Sequence, residues 1–191
     1  MSIDTAFTQF PSLTTERLRL RAVRPEDLKE FFAIRSDEEV MKYSGHPPLR
    51  SLDEAREQLE QARQSYTQRE AIGWAITLKN DDTLIGICGF HHFRAEHRVA
   101  ETGYELAQAH WRKGIMFEAM TAILSFGFTE LNLHRVEAII DIENIASKTL
   151  LEKLGFTYEG TLRERYDQEG ELLDETYYGL LKREWLARNQ A

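Results

Sequence analysis

The hydrophobic and polar residues of the chain change their spacing at defined points, and these points separate the predicted elements. Strict alternation from Glu16 to Val23 predicts a half-buried strand, with leucines on one face and arginines on the other;. Arg24-Pro25-Glu26-Asp27 predicts the start of a helix, because proline fits the first helical position and acidic residues suit the first turn. Ser51-Leu52-Asp53-Glu54 has the pattern of a capping box and predicts a second helix that ends near Arg69;.

The middle of the chain predicts a hairpin followed by a third strand and a long helix. Residues 72–78 alternate with period two, whereas Leu84 to Phe93 is nearly continuous in apolar residues, as in a strand buried on both faces. Asn80-Asp81-Asp82 supplies turn residues between these two strands. Val99 to Leu106 predicts the third strand, and apolar residues at three- and four-residue spacing predict a helix from Ile115 to Phe128;.

The last third of the chain predicts a strand, a short helix and a closing hairpin. Gly155 is placed to end the helix in a left-handed cap, with Phe156 packing back;. The predicted elements are a strand at His134 to Ile140, a helix at Asn144 to Leu154, and a hairpin of Phe156 to Tyr166 and Leu172 to Leu181 across Asp167-Gln168-Glu169-Gly170. The complete order is strand, two helices, three strands, helix, strand, helix and two strands. This order predicts an α/β or α+β fold with a mixed central sheet of about seven strands.

Length and composition favour a soluble protein with one domain over residues 1–191;. Hydrophobic residues make up 42% of the chain and charged residues 29%, and no apolar run approaches the roughly 20 residues that cross a bilayer;. The N-terminal MSIDTAFTQF lacks the basic start and apolar centre of a signal peptide, so we expect a cytoplasmic protein that does not bind membranes;. Cys88 is the only cysteine, which excludes an internal disulfide and a multi-cysteine zinc site;. A net charge of −8 argues against a nucleic-acid-binding face;.

Candidate chemistry lies in Trp111-Arg112-Lys113-Gly114-Ile115, between the third strand and the long helix. A helix start has unpartnered backbone N–H groups and the positive end of the helix dipole, so it suits an anion such as a phosphate. The segment has neither the lysine-serine end of a P-loop nor the G-x-G-x-x-G pattern of a dinucleotide fold;. It therefore predicts a phosphate-bearing ligand held by backbone, although a basic glycine loop also occurs at many helix starts that bind nothing.

Three stretches of the sequence carry a family resemblance. They are Leu13 to Arg21, then Gly103 to Leu106 with Trp111 to Ala119, and finally Asn144 to Ser147 with Glu152 to Phe156. Together with the element order they resemble the GNAT superfamily of acetyl-CoA-dependent N-acetyltransferases. The similarity is to the branch of RimJ and RimL, the ribosomal-protein N-terminal acetyltransferases, and covers about residues 13–183. The sequence departs from the superfamily pattern at Trp111 and Met116, and Arg112 replaces a glycine that is usual in this branch.

The resemblance implies a GNAT fold with a mostly antiparallel sheet, acetyl-CoA as cosubstrate, and no metal. Backbone groups of Leu106 and Ala107 would bond the pantetheine arm, and Asn144 would contact the coenzyme as well as cap its helix. The pyrophosphate would be cradled by the backbone of Arg112, Lys113, Gly114, Ile115, Met116 and Phe117. The implied partners are an amine acceptor, either a protein N-terminus or a small amine, and a second copy of the chain in a homodimer.

Acetyl transfer needs a neutral amine, stabilisation of the oxyanion and a proton for the departing thiolate. The resemblance implies that Ser147 protonates the thiolate, although a serine in a first helical turn is also an ordinary polar residue. The glutamate that serves RimL falls at Tyr166 in this sequence, and a tyrosine with a pKa of about 10 is a poor base;. The position of the general base is therefore open.

Other candidates for the base lie on the strands before the basic loop. Glu105 and Glu101 share one face of their strand and would accept the proton directly or through water, unless that face is simply solvated;. His91 and His92 are adjacent on a strand, so one of the two should face the cleft, although core or surface positions are also open to them.

Two rival functions remain from the sequence. One is a noncatalytic acyl-CoA-binding module, which stays open because the RimL glutamate is replaced by Tyr166. The other is a site for an unrelated phosphometabolite. The acceptor of an acetyltransferase would be chosen by loops at residues 43–52 and 91–100, whose shapes the sequence does not give.

Overall fold

A computed structural model of the chain describes residues 6–168 and 170–189. Within these ranges one eight-stranded sheet runs through the molecule. Its strands are β1 (Leu13–Thr14), β2 (Leu18–Ala22), β3 (Ile72–Leu78), β4 (Asp81–Arg94), β5 (Val99–Leu106), β6 (Arg135–Asp141), β7 (Thr157–Gln168) and β8 (Glu171–Leu181). The strand order is β1-β2-β3-β4-β5-β6-β8-β7, and every neighbouring pair is antiparallel except the parallel pair β5 and β6.

Helices cover both faces of this sheet. They are α1 (Leu28–Arg35), α2 (Glu38–Met41), α3 (Leu52–Thr67), α4 (Ile115–Thr129), α5 (Ile145–Leu154) and α6 (Lys182–Asn189). Short 3-10 turns lie at Pro25–Asp27, Ala95–His97 and Gln108–His110. The predicted mixed, mostly antiparallel sheet flanked by helices is therefore confirmed.

The strand alternation divides the core into two layers. Trp74 and Phe90 are buried in the larger apolar cluster, which also contains Phe128 of α4 and residues of α5 and α6. Ala75 points to the opposite face and packs with Ile34 of α1. On β4, Phe90 lies in the larger cluster and Leu84 packs on the opposite face with Ile34, so this strand is buried on both faces, as its nearly continuous apolar pattern indicated;.

Local signals placed several element ends correctly. The Ser51 hydroxyl accepts a hydrogen bond from the Glu54 N–H and begins α3. Gly155 ends α5 with a φ of 99°, and the Phe156 N–H donates to the Leu151 carbonyl. This confirms the predicted left-handed cap.

Other parts of the fold were not predicted. The two residues of β1 are too few to show a period. Helix α6 is rich in charged residues, and its few apolar residues do not form a clear stripe;. Glu169 of the predicted hairpin turn and residues 1–5 of the N-terminal segment lie outside the described residues. One domain over residues 1–191 stays a prediction.

Candidate active site

The sheet opens between its two parallel strands. Pairing of β5 with β6 ends at Glu101 and Glu137, whereas β5 continues to Leu106 and β6 to Asp141. A cleft of about 550 Å³ lies at this opening. It is lined by β4, β5 and β6, by the start of α5, and by the loop before α3.

Backbone groups of β5 beyond the last β6 pair face the opening. The Ala107 N–H donates to the Ile85 carbonyl at 2.9 Å, so alternate residues at this end of β5 bond to β4;. Tyr104 and Leu106 lie between those residues and direct their backbone groups the other way, into the opening. The Trp111 indole donates to the Leu106 carbonyl at 2.6 Å and holds the following loop against the strand. Of the two residues predicted to bond a pantetheine arm, Leu106 thus offers its N–H, while the Ala107 N–H is engaged.

Helix α4 begins at this same loop, and no described side chain caps its first turn. The N-cap residue is Gly114, with a φ of 73°, and Arg112 is also left-handed, with a φ of 58°. Glycine adopts this conformation without the strain that a side chain imposes. The first N–H groups of α4 and the positive end of its dipole are therefore available to an anion.

The N-terminal strand segment supports the loop. Arg17 donates from Nη1 to the Lys113 carbonyl at 2.9 Å and from Nε to Glu118 Oε2 at 2.6 Å. The Thr15 hydroxyl donates to Glu118 Oε1 at 2.5 Å. Burial alone would raise the pKa of Glu118, but the hydrogen bonds from Thr15 and Arg17 lower it. Two motifs that are about 100 residues apart in the chain therefore form one support.

The side chains around the helix start leave the loop open. Met116 and Phe117 pack against the larger apolar cluster, so the unusual methionine points to the core. Arg112 and Lys113 are exposed. Lys153 Nζ lies 4.5 Å from the Phe117 ring centroid and adds a positive charge beside the first turn of α4. Sequence reasoning assigned Lys153 no role, because its proximity depends on how α5 packs.

Helix α5 contributes a polar contact across the opening. Asn144 Oδ1 accepts a hydrogen bond from the Ser147 N–H at 3.0 Å, which confirms the predicted cap. Ser147 is buried, and its Oγ lies 2.6 Å from the Tyr104 hydroxyl on β5. Burial raises the pKa of Tyr104 in spite of this hydrogen bond, so the phenol remains protonated at neutral pH. Tyr104 was predicted only as part of a motif, and its link to Ser147 depends on the opening.

Two predicted catalytic residues are engaged elsewhere. Glu105 accepts two hydrogen bonds from Arg35 of α1, at 2.9 Å and 2.8 Å, so both of its carboxylate oxygens already have a partner. Tyr166 donates to Asp141 at 2.9 Å. Burial and Asp141 raise the pKa of Tyr166, which keeps its hydroxyl protonated. Neither contact favours proton acceptance, and the catalytic roles of both residues stay predictions.

Three side chains at the far end of the cleft form a cluster. His91 and His92 both line the cleft, with ring centroids 4.7 Å apart, so the expectation that only one would face it is wrong. The reason is an irregularity between His91 and Arg94 at which His92 has a φ of 49°;. Glu101 on β5 lies opposite, with Oε2 3.1 Å from His92 Nδ1 and Oε1 3.9 Å from His91 Nε2.

Comparison with known proteins identifies the fold family. The family model described as an acetyltransferase (GNAT) domain matches residues 17–157, most of the chain. The chain belongs to the GNAT acetyltransferase family. This confirms the predicted enzyme class, an acetyl-CoA-dependent N-acetyltransferase of the acyltransferases. No helix among the described residues is long and apolar enough to pass through a bilayer.

Relatives of this GNAT chain include proteins with different acceptors in their names. It is 37% identical over 173 residues to the uncharacterized N-acetyltransferase YoaA of Bacillus subtilis, covering 91% of this chain and 98% of YoaA. It is 30% identical over 182 residues to YdaF of the same organism, provisionally named a ribosomal N-acetyltransferase, covering 92% and 97%. The structure of spermidine N-acetyltransferase from Vibrio cholerae with CoA and spermine has a TM-score of 0.80 and 26% identity, covering 90% and 99%.

Proposed function

We propose that this enzyme transfers an acetyl group from acetyl-CoA to a primary amine by direct attack of the amine on the thioester. The observation that carries this proposal is the continuity between the opening in the sheet and the uncapped start of α4. Trp111 joins the two, because its indole bonds to the last carbonyl of β5. A coenzyme with its pyrophosphate at the helix start would therefore extend its pantetheine arm along β5 into the opening.

The proposed coenzyme contacts follow this path. The backbone of Arg112, Lys113, Gly114, Ile115, Met116 and Phe117 would hold the pyrophosphate, with Lys153 as an added cation. The Leu106 N–H would bond the arm. The Ala107 N–H already donates to the Ile85 carbonyl, so Ala107 would lie along the arm without donating to it. Asn144 would contact the coenzyme from the start of α5. When bound, acetyl-CoA would supply the acetyl group as an activated thioester.

Catalysis begins when the amine nitrogen attacks the thioester carbonyl carbon. As the C–N bond forms, backbone N–H groups at the opening stabilise the negative oxygen. The C–S bond then breaks, and its electron pair leaves on sulfur. We assign Ser147 as the proton donor to this thiolate. In this assignment the Tyr104 hydroxyl donates its hydrogen bond to Ser147 Oγ, so the serine hydroxyl hydrogen stays available for sulfur;.

The charge of the cleft limits which class of amine fits as the acceptor. Glu101 and Glu105 are the carboxylates among its described lining residues, and Glu105 is paired with Arg35. A polycation would place several ammonium groups beside one remaining carboxylate and one arginine. We therefore infer an acceptor with a single amino group, such as a peptide N-terminus, which reacts in its neutral form; this also agrees with a place in the RimJ/RimL-like branch beside YdaF.

An acceptor panel tests this proposal. Thiol release from acetyl-CoA is measured with N-terminal peptides, simple primary amines, spermidine and spermine, and the products are identified by mass spectrometry. We expect N-acetylated peptides or monoamines and slower reaction of the polyamines. Binding of acetyl-CoA with no turnover on any acceptor would indicate the noncatalytic module instead. An absence of thermal stabilisation by coenzyme A would indicate a different phosphate ligand.

A further inference from the structure

The ring of His91 occupies space that a glycine provides. Gly89 and Gly103 are directly opposed on β4 and β5, two residues along from the pair His91 and Glu101. A side chain at Gly103 would place its Cβ 3.3 Å from His91 Nε2. The imidazole therefore lies over the β5 backbone beside Tyr104, where β5 has already separated from β6.

Glu101 and His92 complete this arrangement. Glu101 Oε1 is 3.9 Å from His91 Nε2, close enough to stabilise a positive charge on that ring;. Its other oxygen is held by His92 Nδ1 at 3.1 Å. The left-handed backbone of His92 brings both imidazoles to the same side, and a regular strand would separate them;.

We propose that His91 is the general base that takes the proton from the acceptor amine, with Glu101 stabilising the resulting imidazolium and His92 positioning Glu101. This inference rests on the proposed acetyl transfer and names a residue for its unassigned step. The amine nitrogen forms the C–N bond and gives one proton to His91 Nε2. The C–S electron pair leaves on sulfur, which takes the proton of the Ser147 hydroxyl; His91 then releases its proton to solvent, and solvent reprotonates Ser147. The products are the N-acetyl amide and the coenzyme thiol.

The ionisation of His91 suits this role. Burial lowers its pKa, Glu101 opposes that shift and His92 adds to it, so the ring is neutral at pH 7. Other titratable or charged groups that line the same cleft are Tyr43, His46, Arg35, Cys88, Glu105 and Tyr104. A lowered pKa means that the base loses its activity only when the pH falls below about 6.5. The rate with a peptide amine should therefore be sustained below the amine's own pKa, near 8.

The test is the pH profile of kcat/KM for the amine in His91→Gln. Removing a general base costs roughly 100-fold or more, and we expect a loss of that size with KM for acetyl-CoA unchanged. The remaining rate should rise with pH through the ionisation of the amine itself, near 8. His134→Gln is the control, because His134 is an exposed histidine just before β6 and is not among the residues that line the cleft.

Further variants separate catalysis from folding. His92→Gln should reduce kcat about threefold to tenfold through Glu101, which is less than the loss in His91→Gln. Added imidazole should restore part of the rate of His91→Ala. If wild type acetylates amines while His91→Gln keeps the wild-type rate and pH profile, the assignment of His91 is overturned and the acetyltransferase proposal stands. If wild type acetylates no amine, both fall.

Discussion

The two sides of the opening between β5 and β6 differ in which groups form them: backbone groups on one side and side-chain pairs on the other. On the side proposed to hold the coenzyme, called the coenzyme side below, the main features are backbone features, namely the left-handed Gly114 and the uncapped first turn of α4. On the side proposed to hold the acceptor, called the acceptor side below, the features are side-chain pairs between different elements, such as Arg35 with Glu105 and His92 with Glu101. The first side depends on a local conformation, and the second depends on tertiary packing.

This difference explains which substitutions each side accepts. Every residue except proline supplies the same backbone N–H, so Arg112 and Met116 replace the residues usual in the family without removing a donor. A carboxylate or an imidazole has no such substitute. One coenzyme site can therefore be kept among relatives, while their acceptors differ, as the names of YdaF and the spermidine acetyltransferase indicate.

The largest expected effect follows from changing the glycine at the helix start. Gly114→Val puts a β-branched residue at a φ of 73°, and the loop must move to relieve the strain;. Displacing two amides that bond a phosphate costs roughly 1.5–3 kcal/mol each, so coenzyme affinity should fall at least about 100-fold. Isothermal titration with coenzyme A measures the affinity, and thermal melting reports whether the variant folds.

Two control variants make this test specific. Gly170→Val imposes similar strain at a φ of 91° in the hairpin turn, with open space around it, and should leave affinity unchanged. Lys113→Ala removes an exposed charge but no amide, and should weaken binding by about threefold to tenfold. An equal loss in Lys113→Ala and Gly114→Val would show that the coenzyme side also depends on side chains.

The same contrast explains what the sequence could predict. The loop from Trp111 to Phe117, the cap at Asn144 and the bounds of β5 follow from local patterns, and the structure places them as expected. Local sequence determines such features because turns, caps and strand periods depend on neighbouring residues.

Contacts between distant segments were not predictable in this way. Arg35 engages Glu105 across 70 residues, and Arg17 reaches Glu118 across 101 residues. The pair of histidines shows the same limit, because an irregularity at His92 overrides the alternation of a strand. A bulge is set by the partner strand, so one strand's period does not reveal it.

A smaller effect on kcat is expected from the side-chain contact between Tyr104 of β5 and Ser147 of α5. Ser147→Ala should lower kcat about 100-fold by removing the donor to sulfur, and Tyr104→Phe about tenfold by releasing the serine hydroxyl;. If Tyr104 acts only through Ser147, then Tyr104→Phe should change kcat less than twofold in the Ser147→Ala background. Steady-state kinetics of the four proteins gives the cycle, with KM for acetyl-CoA unchanged throughout. Equal losses in both backgrounds would mean that Tyr104 has an independent role.

The smallest expected effect concerns the support beneath the loop. Glu118→Gln should lower the free energy of unfolding at pH 7 by about 1 kcal/mol, a modest value because Arg17 is half exposed;. The pKa of Glu118 is lowered in the folded state, so its stabilisation is complete above its ordinary value of 4.5 and disappears as the pH falls through the lowered value;. Urea unfolding should therefore show a difference between variant and wild type that narrows under acid conditions.

The coenzyme affinity of Glu118→Gln tests whether the contacts of Arg17 beneath the loop also matter for binding. Arg17 loses one of its two anchors in Glu118→Gln but still reaches the Lys113 carbonyl, so we expect affinity to fall only about twofold to fivefold;. Glu60→Gln is the control, because Glu60 pairs with Arg63 on the exposed side of α3 and should change neither stability by more than about 0.5 kcal/mol nor affinity;. A loss of affinity as large as that of Gly114→Val would mean that the loop is held in shape by side chains, and the contrast between the two sides of the opening would then fail.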